Sequence, residues 1–186
     1  MGEYQKIRRL LAQGVDVNAT NPRGVNALMI AAHEGLPDTL RLLLEAGASV
    51  SSYDDAGDTP LHWAVELNDT APDCLCIELL LEAGADIGVQ NQKFETALLK
   101  CAETAVVYES TYGGTQDYSH VMLLLIDRGA EVSICNQNQE SLRDIMTNNP
   151  QAFDQDPLRA TLAAIDRKLL EVKTNITLSS NPSRRI

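Results

Sequence analysis

Four times along this chain, the same helix-ending signal returns in the same register. A glycine follows a leucine-rich segment and opens GVDVNATN, GASVSSYD, GADIGVQN and GAEVSICN, at Gly14, Gly47, Gly84 and Gly129. Seven positions after each glycine stands Asn or Asp, at Asn21, Asp54, Asn91 and Asn136. Glycine ends helices because it adopts the left-handed conformation without a Cβ penalty. The recurrence predicts an array of similar units, each of which needs a neighbour to bury its apolar face.

The unit with the clearest signals runs from Asp54 to Ile87. Thr59 can accept a hydrogen bond from a free N–H of a first helical turn, and Pro60 loses no hydrogen bond at the first helical position. A second helix ends before Gly84, and its apolar residues fall at i, i+3 and i+4, at Ile77, Leu80 and Leu81. This spacing places them on one face, so the unit is predicted to be a pair of helices that packs against its neighbours.

Composition narrows the classes of function. The formal net charge is −11, which argues against broad electrostatic attraction to nucleic acid or to an anionic membrane and favours a basic or polar protein partner. The sequence contains no apolar run of about 18 residues, and its first residues lack the pattern of a signal peptide. We therefore expect a cytoplasmic protein, with the nucleus as an alternative, and no membrane contact.

The residue patterns of metal sites and common catalytic motifs are missing from the sequence. The four cysteines do not cluster with the three histidines, so they are expected to be buried, reduced thiols. No phosphate-binding glycine loop, HExxH or GxSxG motif occurs. We accordingly predict no catalytic residues, no metal and no cofactor.

The motif that begins at Asp54 resembles the ankyrin-repeat family. The family pattern DxxGxTPLHxA is matched at Asp54, Gly57, Thr59, Pro60, Leu61, His62 and Ala64, and residues 21–50 and 91–132 match it more loosely. The resemblance covers about residues 4–172. It implies an all-α repeat solenoid of stacked helix-turn-helix repeats with β-hairpin-like finger loops.

The expected organisation is a single domain over residues 1–176. It would comprise a half repeat (1–20), three repeats (21–53, 54–90 and 91–135) and a degraded C-terminal capping repeat (136–173), with a flexible tail at 177–186. The first helix has no inner helix before it. The chain therefore either opens with a capping half-repeat or continues a longer array, and we favour the longer array.

By resemblance, ankyrin domains bind proteins along a concave face that is formed by the fingers and the exposed positions of the inner helices. The positions carried over by register are Arg23, Asp55, Asp58, Gln92, Lys93 and Glu95 in the fingers, and His33, Glu34, Glu66, Leu67 and Glu103 in the inner helices. Acidic side chains outnumber Arg23 and Lys93, so we expect an acidic face that receives a basic segment. A surface kept charged for solubility alone would have the same composition.

An insertion in the third repeat adds three further candidates for partner binding. The segment VVYESTYGGTQDYSH contains Tyr108, Tyr112 and Tyr118. Tyrosine is favoured at interfaces because it brings a large contact area at a small entropic cost. An inner helix extended to about Tyr108 and a mobile loop around Gly113 and Gly114 are the structural alternatives.

Three conspicuous residues have structural explanations. The resemblance implies that His62 holds the finger and the repeat junction through hydrogen bonds. Trp63 aligns with Ile30 and Lys100, which favours packing over cofactor stacking. Asn18 resembles an asparagine that is hydroxylated in animal ankyrin domains, and its ordinary role would be hydrogen bonding within the finger.

The sequence thus predicts a non-catalytic, monomeric module that binds a protein partner. One alternative is a regulatory inhibitor or effector that blocks a partner enzyme. An enzyme built on a repeat scaffold is the alternative of another class.

Overall fold

The computed structural model describes residues 2–66, 74–112, 118–153 and 155–179. These residues form α-helices joined by loops, with one short 3-10 turn at Pro150–Ala152. In chain order the helices are α1 (Gly2–Ala12), α2 (Ala27–His33), α3 (Pro37–Glu45), α4 (Pro60–Val65), α5 (Cys74–Glu82), α6 (Ala97–Tyr112), α7 (Ser119–Asp127), α8 (Leu142–Asn148) and α9 (Gln155–Ser179).

The helices stack in two layers. The inner layer is formed by α2, α4, α6 and α8, each in contact with the next, and α1, α3 and α5 stack in the same way on the outer side. Within the repeats α2 packs on α3, α4 on α5 and α6 on α7, while α9 covers α7 and α8. The core is aliphatic and fully buried, as at Leu28, Leu61 and Leu98 in successive inner helices. The prediction of an all-α repeat solenoid is confirmed.

Each inner helix begins directly after a polar N-cap residue. Each is preceded by a polar residue five positions after the repeated Asn or Asp, at Asn26, Thr59, Thr96 and Ser141. The side chain of Asn26 accepts a hydrogen bond from the N–H of Met29 at 3.0 Å, and Thr96 accepts one from Leu99 at 3.4 Å. Such caps satisfy N–H groups that a first helical turn leaves free, so they fix where each helix begins.

The fingers that precede the inner helices are stacked through their backbones. The N–H of Asp55 donates to the carbonyl of Arg23 at 2.9 Å, and the N–H of Gln137 donates to the carbonyl of Lys93 at 2.8 Å. Single antiparallel bridges close the base of two fingers, between Thr20 and Asn26 and between Cys135 and Ser141. The fingers are therefore hairpin-like without forming named strands in the described residues.

Several local expectations need adjustment. The inner helix α6 extends to Tyr112, beyond the predicted end near Tyr108, and residues 113–117 lie outside the described part. Helix α9 begins at Gln155 and ends at Ser179, so it passes the predicted domain end at 176, while residues 180–186 of the predicted tail are outside the described residues. Cys135 is exposed, which makes the prediction of buried thiols wrong at that position, although none of the four cysteines, all of which are described, forms a disulfide.

No helix within the described ranges combines the length and the apolar character that crossing a bilayer requires.

Candidate functional site

Five predicted binding residues of the third repeat and one of the second surround a groove, which we call the α6 groove. Its volume is about 350 Å³, and it lies between the end of α4, the third finger and the outer half of α6. Six predicted site residues line it, namely Glu66, Lys93, Glu95, Glu103, Tyr108 and Tyr112, together with Lys100, Thr104, Val107 and Thr111. The structure therefore brings together acidic, basic and aromatic side chains that are up to 46 positions apart in sequence.

Asp58 lies beneath this groove and is not available to a partner. Only 5% of Asp58 is exposed, because Lys100 Nζ lies 2.5 Å from its Oδ2 atom. Glu66 Oε2 is 3.5 Å from the same ammonium group. Burial lowers the pKa of Lys100, but the hydrogen bond to Asp58 and the nearby Glu66 outweigh it, so that pKa is raised. The prediction of Asp58 as an exposed binding residue is wrong because the side chain forms a buried ion pair.

Glu95 is also mostly buried, contrary to its expected place on the surface. It is 3% exposed, and its Oε2 accepts a hydrogen bond from Asn91 Nδ2 at 2.8 Å. The same amide donates to Asp58 Oδ1 at 2.8 Å, so one asparagine joins the carboxylates of two successive repeats. Asn91 Oδ1 accepts the backbone N–H groups of Lys93 and Glu95, which fixes the finger itself.

The next repeat junction repeats this arrangement around Glu103. Asn136 Nδ2 donates to Glu103 Oε1 at 2.6 Å and lies 3.5 Å from Glu140 Oε2. Partial burial raises the pKa of Glu103 to about 7, and the neighbouring Glu95 carboxyl raises it as well. The groove therefore contains a carboxyl group that titrates near neutral pH.

The tyrosines of the insertion differ in exposure. The rings of Tyr108 and Tyr112 lie 4.8 Å apart at 38°, and Tyr112 is 68% exposed at the groove edge. Tyr118 is only 1% exposed, because it immediately precedes α7 and packs in the core. Tyr118 is thus a core residue, and its predicted contact with a partner is wrong for this conformation.

His62 has the structural role that was expected of it. Its Nδ1 accepts the N–H of Thr59 at 3.2 Å and lies 2.9 Å from the Thr59 hydroxyl, while Nε2 lies 3.0 Å from the carbonyl oxygen of Glu95. Burial lowers the pKa of His62 despite the bond to the Glu95 carbonyl, so the neutral form is favoured. Nδ1 therefore holds the residue that caps α4, and Nε2 holds α4 to the next finger.

Trp63 and Asn18 also form structural contacts. Trp63 Nε1 donates to Asp54 Oδ2 at 3.0 Å, and its ring meets the His33 ring edge-on at a centroid distance of 5.5 Å. Asn18 Nδ2 donates to the carbonyl of Gly47 at 3.3 Å, and its Oδ1 accepts the N–H of Ser49 at 2.8 Å. The Asn18 side chain is thus hydrogen-bonded, but its partners are Gly47 and Ser49 of the following repeat rather than residues of its own finger.

The other predicted site residues lie away from the α6 groove. Arg23, Asp55 and Gln92 are exposed in the first three fingers, and Gln92 Nε2 donates to the carbonyl of Asp55 at 2.8 Å. His33 is half-buried and Glu34 is exposed just after α2. Leu67 lies outside the described residues.

Sequence reasoning missed Asn91, Asn136 and Lys100, the residues that connect the carboxylates of neighbouring repeats. A signal was present, because an acidic residue follows four positions after three of the repeated Asn or Asp residues, at Asp58, Glu95 and Glu140. That spacing allows the two side chains to meet within a finger. No cluster of three His, Cys, Asp or Glu side chains suited to a metal occurs in the described part of the chain.

Comparison with known proteins identifies the repeat. Residues 2–91 match the model for ankyrin repeats in three copies. The chain is 27% identical over 157 residues to E3 ubiquitin-protein ligase KEG of Arabidopsis thaliana, which covers 84% of this chain and 9% of the ligase. It is 33% identical over 96 residues to ankyrin repeat domain-containing protein 37 of Mus musculus, covering 51% of this chain and 58% of that protein.

A further relative is the inactive serine/threonine-protein kinase TEX14 of Bos taurus, which is 34% identical over 92 residues, or 50% of this chain and 6% of the kinase. The chain spans less than two thirds of the length of each of these relatives. Ankyrin repeats are general protein–protein interaction modules. The repeated helix pairs, the stacked fingers and the family match together establish that the chain belongs to the ankyrin-repeat family.

Proposed function

We propose that this chain is a non-catalytic module that binds a protein partner by receiving a basic segment in the α6 groove. The observation that carries the proposal is the convergence in one groove of carboxylates and an aromatic pair, of which Tyr112 is exposed and Tyr108 half-buried. The general role of ankyrin repeats in protein–protein interaction supports the class of function. The position and the charge of the partner are our own inference.

The charge balance of the groove supports a cationic partner. Lys100 pairs with the buried Asp58 at 2.5 Å and also lies 3.5 Å from Glu66, so one cation faces two carboxylates there. Lys93 is the other basic residue of the groove lining, which also contains Glu95 and Glu103, so carboxylates outnumber cations. Because partly buried charges are screened less than exposed ones, this excess of carboxylates would favour a lysine or arginine over a neutral side chain.

The aromatic pair supports the same kind of partner. Tyr112 exposes 68% of its surface beside Glu103 and Glu66 in the groove. Aromatic faces attract ammonium and guanidinium groups and also bury the aliphatic part of a lysine or arginine. A basic segment could therefore gain both charge pairing and apolar contact in one place.

A binding role fits these groups better than catalysis. The ionisable groups in and beneath the groove are held by bonds that stabilise the fold, as in the pair of Asp58 and Lys100 and the bonds of His62. A catalytic acid or base needs a free site within hydrogen-bond reach of a substrate. His62 offers none, since both of its ring nitrogens are engaged.

Selection from a random peptide library displayed on phage tests the proposal even while the natural partner is unidentified. We expect selected peptides to be enriched in lysine and arginine, and Tyr112→Ala to weaken binding of a selected peptide about tenfold. Tyr53→Ala is the matched control, because Tyr53 is 71% exposed but lies away from the α6 groove. Peptides without basic enrichment, or equal effects of the two substitutions, would overturn the proposal.

Charge reversal at the groove provides a second test. Glu66→Lys should weaken binding of the selected peptide by about tenfold or more, since it replaces an attraction with a repulsion. Glu82→Lys makes the same charge change at an exposed position at the end of α5, outside the groove, and should have little effect. Asp58→Lys is unsuitable because it would break a buried ion pair and unfold the repeat.

A further inference from the structure

A second groove lies on the other side of α6, between that helix, the fourth finger and α8. We call it the α8 groove; its volume is about 210 Å³, and it shares Glu103 and Val107 with the α6 groove. Its other lining residues are Val106, Asn138, Glu140, Ile145 and Asn149. The charged side chains of this lining, those of Glu103 and Glu140, are both acidic. The α8 groove therefore presents two carboxylates without a basic residue in its described lining.

The repeat junctions on the two sides of α6 are built in the same way. At each junction the side-chain amide of the repeated asparagine, Asn91 or Asn136, contacts one carboxylate of the preceding repeat and one of its own finger. The carboxylate of the preceding repeat is Asp58 at the first junction, at 2.8 Å, and Glu103 at the second, at 2.6 Å. The two junctions can therefore be compared position by position.

The junctions differ in a single cation. Lys100 stands nine positions after the asparagine of the first junction, and its Nζ atom lies 2.5 Å from Asp58 Oδ2 and 3.5 Å from Glu66 Oε2. Ile145 stands nine positions after the asparagine of the second junction, in the same turn of its helix. The second junction thus keeps the carboxylates and the amide but has an uncharged side chain in place of the lysine.

Glu103 occupies a position that already binds an ammonium group elsewhere in this molecule. Glu66 stands twelve positions after the repeated Asp54, and it contacts the ammonium group of Lys100. Glu103 stands twelve positions after the repeated Asn91, where it accepts an amide hydrogen bond but forms no ion pair with a described residue. The same position is therefore paired with a cation in one repeat and unpaired in the next.

We infer that a lysine of the bound partner enters the α8 groove and supplies there the ammonium group that Lys100 supplies one repeat earlier. The inference rests on the proposed function, because this lysine belongs to the same basic segment that the α6 groove receives. The recognised segment then carries two basic residues, one for each groove.

The apolar part of the α8 groove suits the stem of a lysine. Val107 is 60% exposed, Val106 is half-buried and Ile145 is buried at the junction. A lysine buries its methylene groups along such apolar surface and keeps its ammonium group near polar partners. Charge pairing with Glu103 and Glu140 is then screened less than at a fully exposed site.

Basic residues of the neighbouring elements do not fill this place. Arg143 of α8 forms an ion pair with Asp166 of α9. Lys93 of the third finger lines the α6 groove and is not among the residues that line the α8 groove. A cation from outside the described residues therefore meets two carboxylates that these side chains leave open.

The two lysines should lie close together in the partner, because the grooves flank one helix. Packed helices lie about 8 to 10 Å apart, and an extended chain advances about 3.3 Å per residue. An extended segment that reaches both grooves should thus carry its basic residues about two to four positions apart.

A double-mutant cycle on a selected peptide with two lysines tests the inference. Glu140→Gln is the informative variant, because Glu140 lines the α8 groove and not the α6 groove. We expect it to weaken binding about fivefold and to abolish the cost of replacing one of the two lysines by norleucine, while the cost of replacing the other is retained. Glu82→Gln is the matched control, since Glu82 is exposed outside both grooves, and it should change neither cost.

A substitution that supplies the cation within the chain provides an independent test. Ile145→Lys should occupy the α8 groove as Lys100 occupies its own junction, and should weaken the peptide as much as Glu140→Gln does. Ile145→Met keeps the position uncharged and should retain binding. Circular dichroism checks that both variants fold, and the cycle with Glu140→Gln decides the question if Ile145→Lys does not.

The outcomes separate this inference from the proposed function. If Glu66→Gln weakens the peptide while Glu140→Gln does not, and neither lysine is coupled to Glu140, the inference is overturned and the proposed function stands. A coupled residue that is neutral would overturn it as well. If no basic peptide binds the wild-type chain, both fail together.

Discussion

At the scale of single residues, Phe94 and Gln139 take a backbone conformation that the earlier fingers assign to glycine. Their φ angles are 61° and 65°, while Gly24 and Gly57 occupy the same finger position at 78° and 80°. The left-handed region is strained for residues that carry a Cβ atom, and most so for bulky ones. In the third and fourth fingers, Phe94 and Gln139 stand where the earlier fingers have glycine. The surrounding contacts must therefore hold these two residues in the left-handed conformation.

Relief of this strain should stabilise the protein. Phe94→Gly is expected to raise the free energy of unfolding by about 0.5 to 1 kcal/mol, because the strain removed exceeds the added entropy of the unfolded chain. The Phe94 side chain is 57% exposed, so little packing is lost. Urea denaturation measures the change. Phe94→Ala keeps the strain and should give no gain; a gain as large as that of glycine would contradict the explanation.

At Gly24 the finger has no room for a side chain. A Cβ atom added there would lie 2.9 Å from the Cα of Asp54, in the next finger. The motif spacing predicted that a glycine belongs at this point, but the close approach of two fingers is visible only in the structure.

At the scale of elements, a polar network joins successive repeats where the sequence suggested an exposed acidic face. Asp58 and Glu95 are buried, because Lys100 and Asn91 supply partners that join one unit of the array to the next. Finger residues follow no helical or strand period, so the one sequence signal for these carboxylates is their place four residues after the repeated Asn or Asp, and it does not reveal the pairing with Lys100. The roles of Thr59, His62 and the helix-ending glycines were predictable, since they depend on local geometry that the motif specifies.

The ion pair between Lys100 and Asp58 should stabilise the junction between the second and third repeats. Lys100→Met is expected to lower the free energy of unfolding by about 3 kcal/mol, because it leaves Asp58 buried without its cation. Addition of Asp58→Asn to Lys100→Met should restore most of the loss, since the neutral amide needs no counter-charge. Chemical denaturation of the single and double variants measures this coupling.

Lys168→Met is the matched control for the loss of a lysine. Lys168 forms a more exposed pair with Glu171 at 3.8 Å, and such pairs contribute little. A loss from Lys100→Met no larger than that of the control would show that the buried pair does not couple the repeats.

At the scale of the whole molecule, the stacked helices make stability depend on contacts between neighbours. The recurring register predicted an array of stacked helix pairs, because the signals that begin and end each helix recur in every repeat, whereas the finger loops were implied by the resemblance to ankyrin repeats. The length of α6 and the start of α9 were less predictable, since apolar residues and helix formers continue past the repeat pattern there. Residues 113–117 of the predicted insertion are outside the described part, as are residues 67–73.

A single central truncation should destabilise the whole array. Leu61→Ala is expected to cost about 2 to 5 kcal/mol, because Leu61 is 1% exposed between neighbouring inner helices. Thermal unfolding followed by circular dichroism should show one cooperative transition at a lower temperature. Leu170→Ala removes the same atoms from a residue that is 63% exposed and should change little. A cost below about 1 kcal/mol at Leu61 would contradict the proposed packing.

The central claim is that the α6 groove recognises a basic segment through charge. Its most direct test is the dissociation constant of a selected basic peptide, measured by fluorescence anisotropy from about 50 mM to about 300 mM NaCl. We expect the affinity to fall by about tenfold or more over this range, and Glu66→Gln to reduce the dependence on salt. An affinity that is unchanged by salt in the wild-type chain would contradict the central claim.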